Sequence, residues 1–129
     1  MVSQAFAAPG DDTVQVEISI VNNPGIISLK IDVAYEDALI LTSVKFASSF
    51  GAYVTAPTPY KNPQPVTFIS PLAEVSASGT FATLEFRIAD SVKSPTVAHV
   101  TISVEPDNTY NFDFEDVSFF VVNGSVTIE

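Results

Sequence analysis

Few residues in this sequence could catalyse a reaction. It contains one histidine, His99, and no cysteine, which excludes disulfides, cysteine nucleophiles and zinc sites built from thiolates or several imidazoles. A hydrolytic triad also needs a serine and a carboxylate around an oxyanion hole, and the sequence has no Gly-x-Ser-x-Gly elbow. His99 shares the outward side of a predicted strand with Val97 and Thr101. We therefore interpret it as a surface residue and predict that the chain is not an enzyme.

Acidic residues are plentiful but scattered. Fifteen Asp and Glu against five Lys and Arg give a formal net charge of −10. Paired carboxylates can hydrolyse glycosides, yet here they occupy predicted turns and outward strand positions. The densest run, 107–116, lacks the glycine and ligand spacing of an EF-hand loop, so we predict no metal or other cofactor in this chain. The acidic excess repels phosphates and anionic headgroups, which argues against nucleic acid and membrane surfaces as partners.

Strands must position these side chains. Apolar and polar residues alternate with a period of two, which is typical of strands with one buried face, and no window shows a helical period beyond a turn or two. The prolines between Ala56 and Pro71 predict an edge or a crossover with one short strand. The predicted strands cover 14–20, 28–35, 40–47, 66–70, 82–88, 98–104 and 117–128.

Short strands with turn signals about every ten residues indicate an all-β sandwich of two sheets with eight or nine strands. The chain has 129 residues, 47% of them hydrophobic, and no internal repeat or linker. We therefore predict a single domain over 1–129. No stretch reaches the roughly 18 apolar residues of a membrane helix, and the first residues do not form a signal peptide, so we interpret the sequence as an excised or mature segment.

Binding is the function that these residues leave open. Carbohydrate binding would use exposed aromatic side chains, and with no tryptophan the plausible outward pair is Tyr53 and Tyr60. The outward row Ser28, Lys30 and Asp32 mixes small, polar and charged groups, which suits protein docking.

Four segments carry a further pattern in their order and spacing. Pro-Gly-Asp-Asp-Thr-Val opens the strand at 9–14, Gly-Ile begins a strand at 25 that ends in Tyr-Glu, Gly-Thr-Phe-Ala-Thr-Leu occupies 79–84, and Asn-Gly-Ser-Val-Thr-Ile closes the chain at 123–128. Together they resemble the cohesin domains of cellulosomal scaffoldins over nearly the whole chain. The resemblance implies a nine-strand jelly-roll β-sandwich related to the carbohydrate-binding-module fold.

The resemblance also implies a function. A cohesin is a non-catalytic module that binds a dockerin, the calcium-loaded module of cellulosomal enzymes and other scaffoldins, on the sheet formed by strands 8, 3, 6 and 5. The calcium would belong to the dockerin. We accordingly expect a monomer without its partner, located outside the cell or on the bacterial surface within a larger secreted scaffoldin. The alternative is a carbohydrate-binding module for plant cell-wall polysaccharide.

Position by position, the resemblance assigns partner contacts to the third strand, to an aromatic before strand 6, to the residues after strand 6, and to the connection between strands 8 and 9. These residues are Ser28, Lys30, Asp32, Tyr53, Tyr60, Leu72, Ala73, Glu74, Phe112 and Phe114. Lys30 replaces the aspartate that is common in the best-known group, which predicts a different choice of dockerins.

Overall fold

Strands account for most of the regular structure. The computed structural model describes residues 1–47, 54–70, 75–117, 119 and 121–129. In that part of the chain nine strands form: β1 (Ala5–Ala7), β2 (Val14–Ile20), β3 (Ser28–Tyr35), β4 (Leu39–Phe46), β5 (Val54–Thr55), β6 (Gln64–Ile69), β7 (Gly79–Ile88), β8 (Thr96–Val104) and β9 (Gly124–Ile128). A 3₁₀ turn at Pro106–Asn108 follows β8.

The strands make two sheets. The larger has the order β1-β9-β8-β3-β6-β5, and the smaller has the order β2-β7-β4. The pairs are antiparallel except for β1 with β9, which run parallel. This arrangement confirms the predicted all-β sandwich of two sheets.

The alternating pattern explains which side of each strand faces the core. In β2, Val14, Val16 and Ile18 are buried while Gln15 and Glu17 are exposed. The same alternation in β3, β6, β7 and β8 packs large apolar side chains between the sheets, and burial of each such side chain stabilises the fold by about 1.5–3 kcal/mol. The largest fully buried side chains include Phe68, Phe81, Phe86, Leu84 and Ile88.

Seven of the strands were predicted, with bounds that differ mostly by one to three residues. β1 and β5 were missed because strands of three and two residues are too short to show a period. The last predicted strand was wrong in extent: it was expected from about Val117, and the strand begins at Gly124.

The apolar run before β9 has another role. The Val117 N–H donates to the Thr109 carbonyl oxygen at 3.0 Å and the Val117 side chain is buried. Phe119 packs against the core, and Phe119 and Val121 line an apolar cavity of about 440 Å³ that also contacts Ile18. Val117, Phe119 and Val121 thus contact the interior without belonging to a strand, whereas Val122 is exposed. A periodicity argument cannot distinguish such apolar residues from a buried strand.

Gly124 lets the amino-terminal segment pass close to the start of β9. A Cβ at this position would overlap the carbonyl oxygens of Ser3 and Val2. The Val2 N–H donates to the Val122 carbonyl oxygen at 2.8 Å, and the Ser3 N–H donates to Glu17 at 2.8 Å. The segment is thereby held between the two sheets.

Within the described residues, no helix is both long and apolar enough to cross a membrane.

Candidate docking surface on the six-stranded sheet

The outward side chains of β8, β3, β6 and β5 form one face of the sandwich, which we call the outer face. Register sets its composition, because Lys30 lies opposite Thr67 of β6 and Asp32 lies between Pro65 of β6 and Ser103 of β8. The face therefore has a charged centre with uncharged neighbours on the β6 side.

The charged centre contains a residue that the sequence prediction missed. Lys30 Nζ lies 3.4 Å from Glu105 Oε2, and the Glu105 backbone N–H donates to the Lys30 carbonyl oxygen at 2.9 Å. Burial raises the pKa of Asp32, and a hydrogen bond and charge from Glu105 raise it further, while Lys30 opposes the shift. Glu105 continues the outward parity of β8, and this parity could have identified it.

One end of the outer face is apolar. Ile69 lies opposite Ser28 and is 51% exposed. On the other side of Ser28, Tyr110 forms an isolated bridge and contacts the ring of Phe114, with 5.7 Å between ring centroids. Phe112 is also exposed in this loop. The predicted contact Phe114 thus lies beside Tyr110, Phe112 is exposed in the same loop, and Ile69 is an exposed apolar residue that the prediction had not named.

A tight loop over 111–115 presents these aromatic rings. Asn111 Oδ1 accepts hydrogen bonds from the N–H groups of Asp113 and Glu115, each at 3.0 Å. The Phe114 N–H donates to the Asn111 carbonyl oxygen at 3.1 Å. Phe114 adopts a φ of 60°, a conformation that bulky residues rarely adopt, and the residue is 76% exposed.

Two of the predicted contact residues form hydrogen bonds within the molecule. Ser28 is buried, and its hydroxyl donates to the Asn108 carbonyl oxygen at 2.7 Å. Tyr60 is half-buried and packs against the core, where its hydroxyl oxygen accepts a hydrogen bond from the Val44 N–H at 3.3 Å. Both side chains hold neighbouring segments in place. This placement of Tyr60 does not support the idea that Tyr53 and Tyr60 form an exposed pair for stacking on sugar rings.

Four predicted site residues, Tyr53, Leu72, Ala73 and Glu74, lie outside the described residues. The described part of the chain continues at Val75, which pairs with Ile26 through backbone hydrogen bonds of 3.0 and 2.9 Å. The Asn23 amide donates to the Val75 and Ala77 carbonyl oxygens. Val75 and Ala77 are therefore held beside the start of β3, next to the apolar end of the outer face.

His99 lies outward on β8, as its parity predicts. Its exposed side chain lies near Glu36 and Thr101 in a shallow depression, and the Glu36 carboxylate accepts a hydrogen bond from the His99 backbone N–H at 3.2 Å. Within the described ranges, no three His, Asp or Glu side chains converge to hold a metal ion.

Solved structures match this chain over almost its full length, although neither a protein-family model nor a curated protein matches it. The sixth cohesin of scaffoldin B from Acetivibrio cellulolyticus, solved in complex with a Cel5 dockerin mutant, is 26% identical with a TM-score of 0.81, and the match covers 99% of this chain and 96% of that one. The OlpA cohesin of Clostridium thermocellum, solved in a type I complex with a dockerin, is 18% identical with a TM-score of 0.82 and coverage of 100% and 96%.

This chain has the cohesin fold. The fold is not limited to cellulosomes, because a non-cellulosomal cohesin from the archaeon Archaeoglobus fulgidus also matches, at 19% identity, a TM-score of 0.78 and coverage of 100% and 90%. The cohesin resemblance drawn from four sequence segments is confirmed by these matches. The strands numbered 8, 3, 6 and 5, on which the resemblance places the dockerin, are neighbours in the larger sheet and form the outer face.

Proposed function

We propose that this chain is a non-catalytic interaction module that binds a calcium-loaded dockerin through its outer face. The observation that carries the proposal is the full-length match to cohesins solved with dockerins, one of them 26% identical. A standard docking surface covers roughly 800 Å² per partner and draws most of its affinity from a few central residues. The outer face offers a surface of this kind, with apolar side chains at one end and charges at its centre.

We propose a revised set of contacts. Lys30, Asp32, Phe112 and Phe114 remain proposed contacts, and we add Glu105 and Ile69 because they lie on the same face. Ser28 and Tyr60 support the surface from within. Tyr53, Leu72, Ala73 and Glu74 stay predicted contacts from the resemblance alone.

The proposal also covers the calcium and the cellular location. The calcium belongs to the dockerin, and this chain needs no cofactor. The module acts outside the cell or on the bacterial surface within a larger secreted scaffoldin, recruiting enzymes or other scaffoldins. The neighbours from cellulosomal scaffoldins support this placement.

Gel filtration of the chain with a panel of calcium-loaded dockerins tests the proposal. The panel comprises dockerins from the organism that encodes this chain and those of the solved complexes. We expect co-elution with at least one dockerin, abolished by Ile69→Ser and retained in Ile40→Ser, a matched control because Ile40 is partly exposed on the opposite sheet. Absence of a complex across the panel, together with retention on cellulose or xylan, would replace the proposal with the carbohydrate-binding alternative.

Calcium removal provides a separate test. Because the dockerin folds around its calcium, a chelator should abolish the complex while leaving the melting temperature of this chain alone unchanged. A drop in that melting temperature on chelation would show that this chain holds a metal of its own, against the proposal.

A further inference from the structure

Lys30 is not an isolated cation on the outer face. Its ammonium lies 3.4 Å from the Glu105 carboxylate, and both side chains are about one-third exposed, at 37% and 33%. The backbone hydrogen bond from Glu105 to Lys30 fixes the two residues side by side. A partner approaching this point therefore meets a lysine whose charge is already balanced by a carboxylate of the same module.

A second carboxylate leaves the centre of the face negative. Asp32 lies on the same side of β3 as Lys30, whose ammonium contacts Glu105, and Glu105 is close enough to raise the pKa of the Asp32 carboxyl group. The cross-strand neighbours on β6, Pro65 and Thr67, carry no charge. Two carboxylates and one ammonium give the group Lys30, Asp32 and Glu105 a net charge of −1 when both carboxylates are ionised.

We infer that the dockerin bound here places a basic side chain, Lys or Arg, against Asp32 and Glu105, with Lys30 acting as an internal counter-ion that holds the two carboxylates together. The inference rests on the proposed function and names the chemistry of its partner. An acidic partner group at this point would meet two like charges, which strongly disfavours its binding. A guanidinium can instead donate to both carboxylates through its planar fork.

The apolar end of the face fixes a second requirement. The apolar end is centred on Ser28, which lies between Ile69 and Tyr110. Along β3, Ser28 is about three residues from the point midway between Lys30 and Asp32. At about 3.3 Å per residue, the two sites lie about 10 Å apart. The partner should therefore carry an apolar anchor and a basic group with this separation. Because the two sites differ in chemistry, the partner should bind the face in one orientation and not in the reverse one.

Calorimetric titration with the dockerin that binds the native chain most tightly tests the inference. The variants are Asp32→Asn, Glu105→Gln and Lys30→Met, and the control is Glu85→Gln, which removes a carboxylate paired with Lys45 at 2.9 Å on the opposite sheet. We expect affinity to fall at least tenfold in each of the first two variants, to fall no more than threefold in Lys30→Met, and to stay unchanged in the control. Circular dichroism confirms that each variant is folded.

The outcomes separate this inference from the proposed function. If the native chain binds a dockerin and Lys30→Met loses more than threefold, or if either carboxylate variant loses less than tenfold, the inference is wrong while the proposed function stands. If the native chain binds no dockerin of the panel, the proposed function fails and the inference fails with it.

Discussion

Phe114 combines an unfavourable backbone conformation with an exposed side chain. Its φ of 60° lies in the left-handed region, where a Cβ costs about 1–2 kcal/mol, and three-quarters of the residue is exposed. Such strain persists where surrounding hydrogen bonds impose it, and it is concentrated at functional sites. Here Asn111 supplies those hydrogen bonds, which supports the assignment of the loop to partner binding.

The protein with glycine at position 114 should therefore be more stable than the protein with alanine there. We expect the free energy of unfolding of Phe114→Gly to exceed that of Phe114→Ala by about 1 kcal/mol, because only glycine adopts this φ without strain. The control is the pair Phe112→Gly and Phe112→Ala, since Phe112 has no positive φ, and there alanine should equal or exceed glycine. Urea denaturation measures all four variants. Greater stability of alanine at both positions would contradict the strain.

Asp32 gives the stability a defined dependence on pH. Its folded-state pKa lies above its ordinary value of 3.8, owing first to burial and then to Glu105, so the ionised carboxylate opposes folding, increasingly as pH rises through the raised pKa. Asp32→Asn should stabilise the protein at neutral pH and lose this effect as pH falls well below 3.8, where the carboxyl group is protonated in both states. Urea denaturation at several pH values measures the difference.

Glu85 should show the opposite sign. Hydrogen bonds from Lys45 and Gln15 lower the pKa of its carboxyl group, so the ionised form stabilises the folded state. Glu85→Gln should destabilise the protein at neutral pH, and this difference should disappear as pH falls through the lowered pKa. Parallel pH profiles for the two variants would mean that the environments of these carboxylates are misassigned.

At the scale of elements, the join between the amino-terminal segment and β9 depends on Gly124. A methyl group there would overlap backbone oxygens of Ser3 and Val2, which cannot rotate away as a side chain can. We expect Gly124→Ala to lower the free energy of unfolding by about 3 kcal/mol, the upper part of the usual range for overpacking. Ser125→Ala, on the partly exposed side of the same strand, is the control and should be nearly neutral. Equal stability of both variants would show that the segment can move aside.

The elements also show how far a sequence prediction reaches. β2, β3, β7 and β8 were predicted because each buries one face, so that apolar and polar residues alternate along most of its length. Side-chain parity likewise placed Lys30 and Asp32 outward. Parity could not show that Ser28 is covered by the connection after β8, because that contact joins residues 28 and 108 through the tertiary fold.

At the scale of the whole molecule, the acidic balance controls how a partner arrives. The net charge of −10 should attract a basic dockerin surface over the range of the Debye length, which is about 8 Å at physiological salt and about 3 Å at 1 M. We expect the association rate constant to fall at least tenfold between these conditions, while the dissociation rate changes little because the apolar contacts are not screened. Stopped-flow fluorescence measures both rates. An association rate that is independent of salt would contradict a basic partner surface.

The overall architecture was the most predictable property and the exact contact set the least. A sandwich and its family resemblance follow from repeated local patterns spread over the chain. The pairing of Lys30 with Glu105 depends instead on the register of two strands separated by seventy-odd residues, and Lys30 alone suggested a reversed charge at the centre of the face. Local sequence shows which residues point outward, and register decides which of them neutralise each other.

The parallel pairing of β1 with β9 has a mechanical consequence. Ala5 pairs with Val126 and Ala7 with Ile128, so the chain enters this strand pair at one end and leaves it at the other. Tension applied through the two ends of the chain pulls the strands in opposite directions along their length. Their hydrogen bonds are then loaded in shear and must break together, whereas a hairpin pulled from its open end would separate one bond at a time.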